Sequence, residues 1–139
     1  MRKYVVIDTN VLVSGLLTRN EFSPTLKILK LLADNTITPV YSSEIIKEYR
    51  EVLLRDKFGF SQNTVDMIIN DIKKYGLEVS EIVQVYETMP DPKDIVFYAV
   101  TLSVQDKAIL VTGNIRHFPV KPFVMLPADF IKLFELLQL

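Results

Sequence analysis

Tyr4-Val5-Val6-Ile7-Asp8-Thr9-Asn10-Val11-Leu12 is the stretch whose reading decides the fold. Its first four residues are apolar or aromatic and mostly β-branched, which predicts a short strand buried on both faces. That strand ends on an acid, a hydroxyl and an amide. In an open α/β sheet this end is the carboxyl edge, where ligands bind. A carboxylate there is costly to bury unpaired, so the rest of the chain must supply something to meet Asp8.

Outward from this strand, helices and strands alternate. Ser23-Pro24 opens a helix, with serine as N-cap and proline at the first helical position; Leu26, Ile28, Leu29, Leu32 and Ala33 carry it to Asp34-Asn35. Before it, Val11 to Leu17 reads as a helix broken near Gly15, and Thr18 to Phe22 as a loop. Ile37 to Tyr41 is a second strand. Ser42 or Ser43 caps a helix to about Arg55, with Ile45, Ile46, Tyr49, Val52 and Leu53 on one face and Glu44, Glu51 and Arg55 roughly opposite. Glu48 falls about 40° from Val52 at 100° per residue, on the border of the apolar face. Ser61 caps a further helix with Val65, Ile68, Ile69 and Ile72 inward, closed by Gly76 as a C′ residue.

Val79 to Tyr86 alternates loosely and predicts a third strand near a sheet edge. Asp91-Pro92-Lys93-Asp94 opens a helix from Ile95 to about Val104 that is apolar nearly all round, hence deeply buried. Ala108 to Val111 is a fourth strand followed by Thr112-Gly113-Asn114. Phe123 to Leu126 is a fifth, and Pro127 starts a terminal helix. The pattern predicts an α/β fold: a three-layer α/β/α sandwich around a mainly parallel sheet of about five strands, with right-handed crossovers.

The chain's 139 residues suit one compact domain over residues 1–139, large enough for a proper core. A hydrophobic share of 49% argues against disorder. Charges interrupt every apolar run, so no membrane span is expected. The N-terminus starts directly with the strand, without a secretory signal, and a cytoplasmic protein is the natural expectation. The absence of cysteine removes disulfides, zinc–thiolate sites and cysteine nucleophiles. A formal net charge of -1 neither marks nor excludes a nucleic-acid binder, because a basic patch beside an acidic pocket cancels in the sum.

Chemistry belongs to the polar residues at strand ends and helix starts. In a parallel sheet Asp8, Asp91 and Asp94, and Thr112 and Asn114 all reach the same edge, and Glu48 joins them if its helix packs over it. Carboxylates gathered in one cleft repel one another and have raised pKa values unless a cation neutralises them. Oxygen donors without thiolates suit Mg²⁺ or Mn²⁺. One such ion, or two about 4 Å apart, lowers the pKa of a bound water and steadies the leaving oxygen of a phosphodiester. Each residue also has a plainer role. Asp91 before Pro92 is a natural N-cap, Asp94 complements a helix dipole, Glu48 is a solvated helix acid, and Thr9 and Asn10 make turn hydrogen bonds. His117, the only histidine, reads as structural.

The ordered series Val6-Ile7-Asp8-Thr9-Asn10-Val11, Glu48-Tyr49 with Val52-Leu53, Asp91-Pro92-Lys93-Asp94, and Val111-Thr112-Gly113-Asn114 with His117-Phe118-Pro119 resembles a PIN domain. It is most similar to the branch assigned to toxins of toxin–antitoxin systems. The resemblance implies a Mg²⁺- or Mn²⁺-dependent ribonuclease that hydrolyses RNA, with catalytic and metal acids at Asp8, Glu48 and Asp94. It makes Thr9, Asn10, Asp91, Thr112 and Asn114 supporting residues. Asn114 stands where many PIN domains carry a fourth acid, which favours one-metal or substrate-completed two-metal hydrolysis. Arg50, Lys93 and Arg116 are the candidates for the RNA backbone by sequence proximity. In toxins of this type a partner antitoxin blocks the cleft and the toxin often forms a homodimer. The other readings are a PIN-like module that binds RNA or a protein without cutting, and a phosphatase with an aspartate nucleophile. Haloacid-dehalogenase-like phosphatases usually place a second aspartate two residues after the first, and here that residue is Asn10.

Overall fold

The computed structural model describes residues 3–104 and 107–137. Its strands are β1 (Tyr4–Ile7), β2 (Thr38–Tyr41), β3 (Leu77–Glu78), β4 (Ala108–Val111) and β5 (Val124–Met125). They form one parallel sheet in the order β3-β2-β1-β4-β5. Among the described residues the α-helices are α1 (Thr9–Leu17), α2 (Pro24–Ala33), α3 (Ser43–Leu53), α4 (Gln62–Tyr75), α5 (Ile95–Ser103) and α6 (Pro127–Leu137). The result is an α/β/α sandwich, as the alternation predicts. No helix among the described residues is long and apolar enough to cross a membrane.

β1 is central because its side chains can be buried on both faces: Val5 and Val6 are fully enclosed. From β1 the chain moves to β2 on one side and later returns through β4 on the other. The strand order therefore reverses between β1 and β4, and a crevice opens beyond their carboxyl ends. Ile7 pairs with Val111 in register, which sets Asp8 and Thr112 side by side at its floor.

Helix starts follow the capping residues. Ser42 Oγ accepts from the Ile45 N–H, and Ser61 Oγ from the Thr64 N–H. α5 buries Phe97, Tyr98, Ala99, Val100 and Thr101, in keeping with its apolar circumference. It packs on β4 and β1.

Three expectations change. The first helix is not broken at Gly15 but runs continuously from Thr9 to Leu17. A Cβ at Gly15 would come within 2.9 Å of the Thr25 carbonyl and 2.7 Å of Leu29, so this glycine lets α1 and α2 approach closely. The third strand is not Val79–Tyr86 but Leu77–Glu78, and its ladder closes with Val79 N–H to the Tyr41 carbonyl at 2.8 Å. The loose alternation beyond has another cause. Val79 and Val85 pack on the core, while Ile82 and Val83 are exposed, and the Val83 N–H bonds Ser103 Oγ rather than a strand.

Gly76 closes α4 in extended, not left-handed, backbone (φ -89°, ψ 178°). Space explains it: a Cβ there would lie 2.4 Å from the Ile72 carbonyl oxygen and 2.6 Å from that of Pro39. Both neighbours are backbone and cannot swing aside. Gly76→Ala is expected to destabilise the protein by about 2 kcal/mol, lowering Tm by roughly 5–8 °C. Thermal unfolding followed by circular dichroism measures it, and an unchanged Tm would show that the α4–β2 junction yields freely.

Candidate active site

Asp8 occupies the N-cap position of α1, yet its side chain makes no capping hydrogen bond. It turns to the crevice. Its Oδ2 accepts from the Thr112 hydroxyl at 2.7 Å and from the Asn10 amide at 3.2 Å. Its backbone N–H bonds the Val111 carbonyl at 3.0 Å. Asp8 is only 4% exposed, and Thr112 is fully buried. Behind them the Tyr49 hydroxyl donates to the Ile7 carbonyl at 2.5 Å, which fixes α3 against the end of β1.

The same anchorage aims Glu48. One residue from Tyr49 on α3, it is half-buried and accepts a hydrogen bond from the Thr9 hydroxyl. Asp94 stands where a 3₁₀ turn (Pro92–Asp94) passes into α5. Its Oδ2 lies 3.1 Å from His117 Nδ1. Asp91 keeps its plainer role, accepting from the Lys93 N–H at 3.0 Å to cap that turn, and it also lines the cleft. On the β4 side the Gly113 N–H bonds Asn10 Oδ1 at 3.0 Å and the Asn114 N–H bonds Thr112 Oγ1 at 3.0 Å. Thr9, Asn10 and Thr112 thus form the polar cradle of the acids.

Electrostatics bind the acids into one group. Burial pushes the Asp8 carboxyl up to about 6, with Asp94 and Glu48 adding to the rise and the Thr112 hydrogen bond opposing it. Burial also raises Glu48, as do Asp94 and Asp91, against Thr9 and Lys93. Asp94 is raised by burial first and then by Asp91, against the His117 hydrogen bond. Asp94 thus acts on both Asp8 and Glu48, and Asp91 on both Glu48 and Asp94, which ties the four acids into one site.

A cleft of about 1040 Å³ contains Asp8, Asn10, Glu48, Asp91, Asp94 and Asn114. One wall is the exposed, charged side of α3, where Glu44, Lys47 and Glu51 line the cleft opposite the apolar face as the helical wheel implies, with Arg55 just beyond the end of the helix. The other is the segment from Ile82 to Val85. Lys47 and Arg55 were missed by sequence proximity, although they share the Glu48 stripe at helical spacing. Of the three basic candidates, Lys93 lines the cleft. Arg50 instead donates to Asp66 of α4 at 2.6 Å, and Arg116 is exposed on a 3₁₀ turn (Ile115–His117) outside the lining.

Six carboxylates against three basic side chains make this cleft acidic. A phosphate backbone enters such a place only if a cation offsets the charge. The donors are all oxygens, which suits Mg²⁺ or Mn²⁺. Among the described residues no three acid or histidine side chains are disposed to grip one ion directly. A cation here would therefore retain water in part of its shell, as Mg²⁺ commonly does.

A parallel α/β/α sandwich with clustered acids at its switch point defines an α/β protein whose acids lie at the strand ends, where sheets of this kind bind ligands. Residues 4–116 match the family model described as PIN domain, and the chain belongs to that family. PIN domains are generally nucleases, usually with divalent metals such as Mg²⁺. No curated protein matches the chain.

Proposed function

We propose that the protein is a Mg²⁺- or Mn²⁺-dependent endoribonuclease, formed by a single domain spanning residues 1–139. One observation carries this reading: the buried Asp8 carboxylate lies at the switch point, and Asp94 and Glu48 are near enough to raise it. Asp8, Glu48 and Asp94 are the catalytic acids and would hold the cation. When bound there, the cation supplies a water of lowered pKa and positive charge opposite the scissile phosphate. Thr112 and Asn10 fix the Asp8 carboxylate by their bonds to Oδ2, and Thr9 steadies Glu48. Asn114 offers a carbonyl or amide to a water at the rim without adding charge. Lys93 would meet the RNA backbone; it lines the cleft and its charge is already felt at Glu48.

The similarity of the motif series to the toxin branch supports a role as the toxin of a toxin–antitoxin pair, restrained by a partner antitoxin and able to form a homodimer. A second reading is favoured by Asn114 and by the lack of a ready three-acid grip among the described residues: a PIN module that binds RNA or a protein without cutting it. Incubation with single-stranded RNA separates the two. Cleavage in Mn²⁺ or Mg²⁺ that stops with EDTA and with Asp8→Asn is expected. Cleavage indifferent to both overturns the metal-nuclease reading. Cation and RNA binding without cleavage establishes the module instead.

A further inference from the structure

We propose that His117 is a positioning residue that holds the Asp94 carboxylate toward the cleft; this rests on the metal-nuclease reading above. Asp94 is poorly fixed by its own segment. It sits at the joint between the 3₁₀ turn and α5, and its side chain makes no capping hydrogen bond. Free rotation about its side-chain torsions would spread its oxygens over several directions. The contact that limits this comes from the 3₁₀ turn after β4, where His117 Nδ1 lies 3.1 Å from Asp94 Oδ2. The Asp94 side chain keeps 14% of its surface exposed, so the imidazole meets a largely enclosed carboxylate.

His117 can hold a direction because its own turn is clamped. Its N–H donates to the Asn114 carbonyl at 2.9 Å, and the Phe118 N–H to that of Ile115 at 3.2 Å. Phe118 is buried immediately after it. The turn begins at Asn114, whose N–H bonds Thr112 Oγ1, which in turn donates to Asp8. One bonded path thus runs from Asp8 through Thr112 and the turn to Asp94, setting two acids from separate crossovers relative to each other. In the neutral ring the Nδ1–H donates and the carboxylate accepts. Hydrogen bonds of this kind orient ligating carboxylates, and losing one typically costs 10–100-fold in metal affinity. His117 lies just past the stretch that matches the family.

Mn²⁺ affinity read by electron paramagnetic resonance at pH 8, with Tm in parallel, tests this on the full chain. His117→Ala is expected to weaken Mn²⁺ binding about tenfold or more. His117→Asn, whose amide nitrogen can stand near the place of Nδ1, recovers most of the loss. In an Asp94→Asn background the alanine change adds nothing further. Wild-type affinity in His117→Ala, with only Tm lowered, overturns the proposal and leaves a structural tie. Equal weakening with and without Asp94 also overturns it. A wild-type protein that binds no Mn²⁺ defeats the metal-nuclease reading itself, an outcome distinct from both.

Discussion

Asp8→Asn is expected to abolish RNA cleavage while making the cation-free protein more stable at neutral pH. The loss follows from removing the most buried acid of the cluster, and roughly 10³-fold or more in rate corresponds to about 4 kcal/mol of transition-state stabilisation. The gain follows from linkage. The folded-state pKa of Asp8 is raised to about 6, chiefly by burial, from an ordinary 3.8. The folded protein therefore holds this proton more tightly than the unfolded chain. Stability from this group is greatest below pH 4, falls as pH rises through about 6, and stays lowered above it. A rise of about two units corresponds to roughly 3 kcal/mol at neutral pH. The amide carries no charge to desolvate, and its oxygen can still accept from Thr112. A net gain of about 2 kcal/mol is expected in urea unfolding at pH 7.5 with EDTA. A less stable Asp8→Asn protein that still cleaves RNA would overturn both halves.

The second large effect is that of the cation itself. Mn²⁺ at about 100 times its Kd is expected to stabilise the wild-type protein by about 2.7 kcal/mol at pH 7.5, a rise in Tm of roughly 6–10 °C. The sign with pH follows from the same groups. Burial raises the Asp8 carboxyl to about 6, and Glu48 and Asp94 are displaced in the same direction. Protons therefore occupy the oxygens that a cation needs as pH falls through about 6, and the stabilisation should largely vanish by pH 5. EDTA should reverse it, and Asp8→Asn should show little of it at any pH. A Tm that ignores Mn²⁺ at pH 7.5 would leave the acid cluster without the partner proposed for it.

These effects meet at one physical conflict. A protein gains nothing in folding from three carboxylates whose pKa values are raised by burial and by neighbouring acids; burial of such groups costs stability until something positive arrives. That cost is lodged around Asp8, where Thr112, Asn10 and Thr9 supply hydrogen bonds but no charge. Lys93 lowers Glu48 only in part. A destabilised, pre-arranged site of this kind is the usual mark of function.

Much of the fold is legible along the chain because period and punctuation are local. β-branched runs, serine caps and the proline starts of α2 and α6 are properties of neighbouring residues. The strand-end rule then places Asp8 and Thr112 at one edge from the sequence alone, and Ile7 opposite Val111 realises it. Where local signals compete with distant ones they fail. Gly76 looks like a left-handed cap, but the constraint on it is the Pro39 carbonyl of another strand. Val79 to Tyr86 alternates like a strand, yet β2 has already ended its pairing with Glu78.

By itself the sequence determined the order of elements, the parallel sandwich and the candidacy of Asp8, Glu48 and Asp94, since each depends on residue type and spacing within one segment. Only the tertiary structure decided which charges meet. It gave Arg50 to Asp66, turned Lys47 and Arg55 toward the cleft, and brought His117 to Asp94 across 23 positions of chain. The reason is that a side chain's partner is set by how helices and turns pack over the sheet edge. A shift of a single turn would change every one of those pairs while leaving the local pattern untouched.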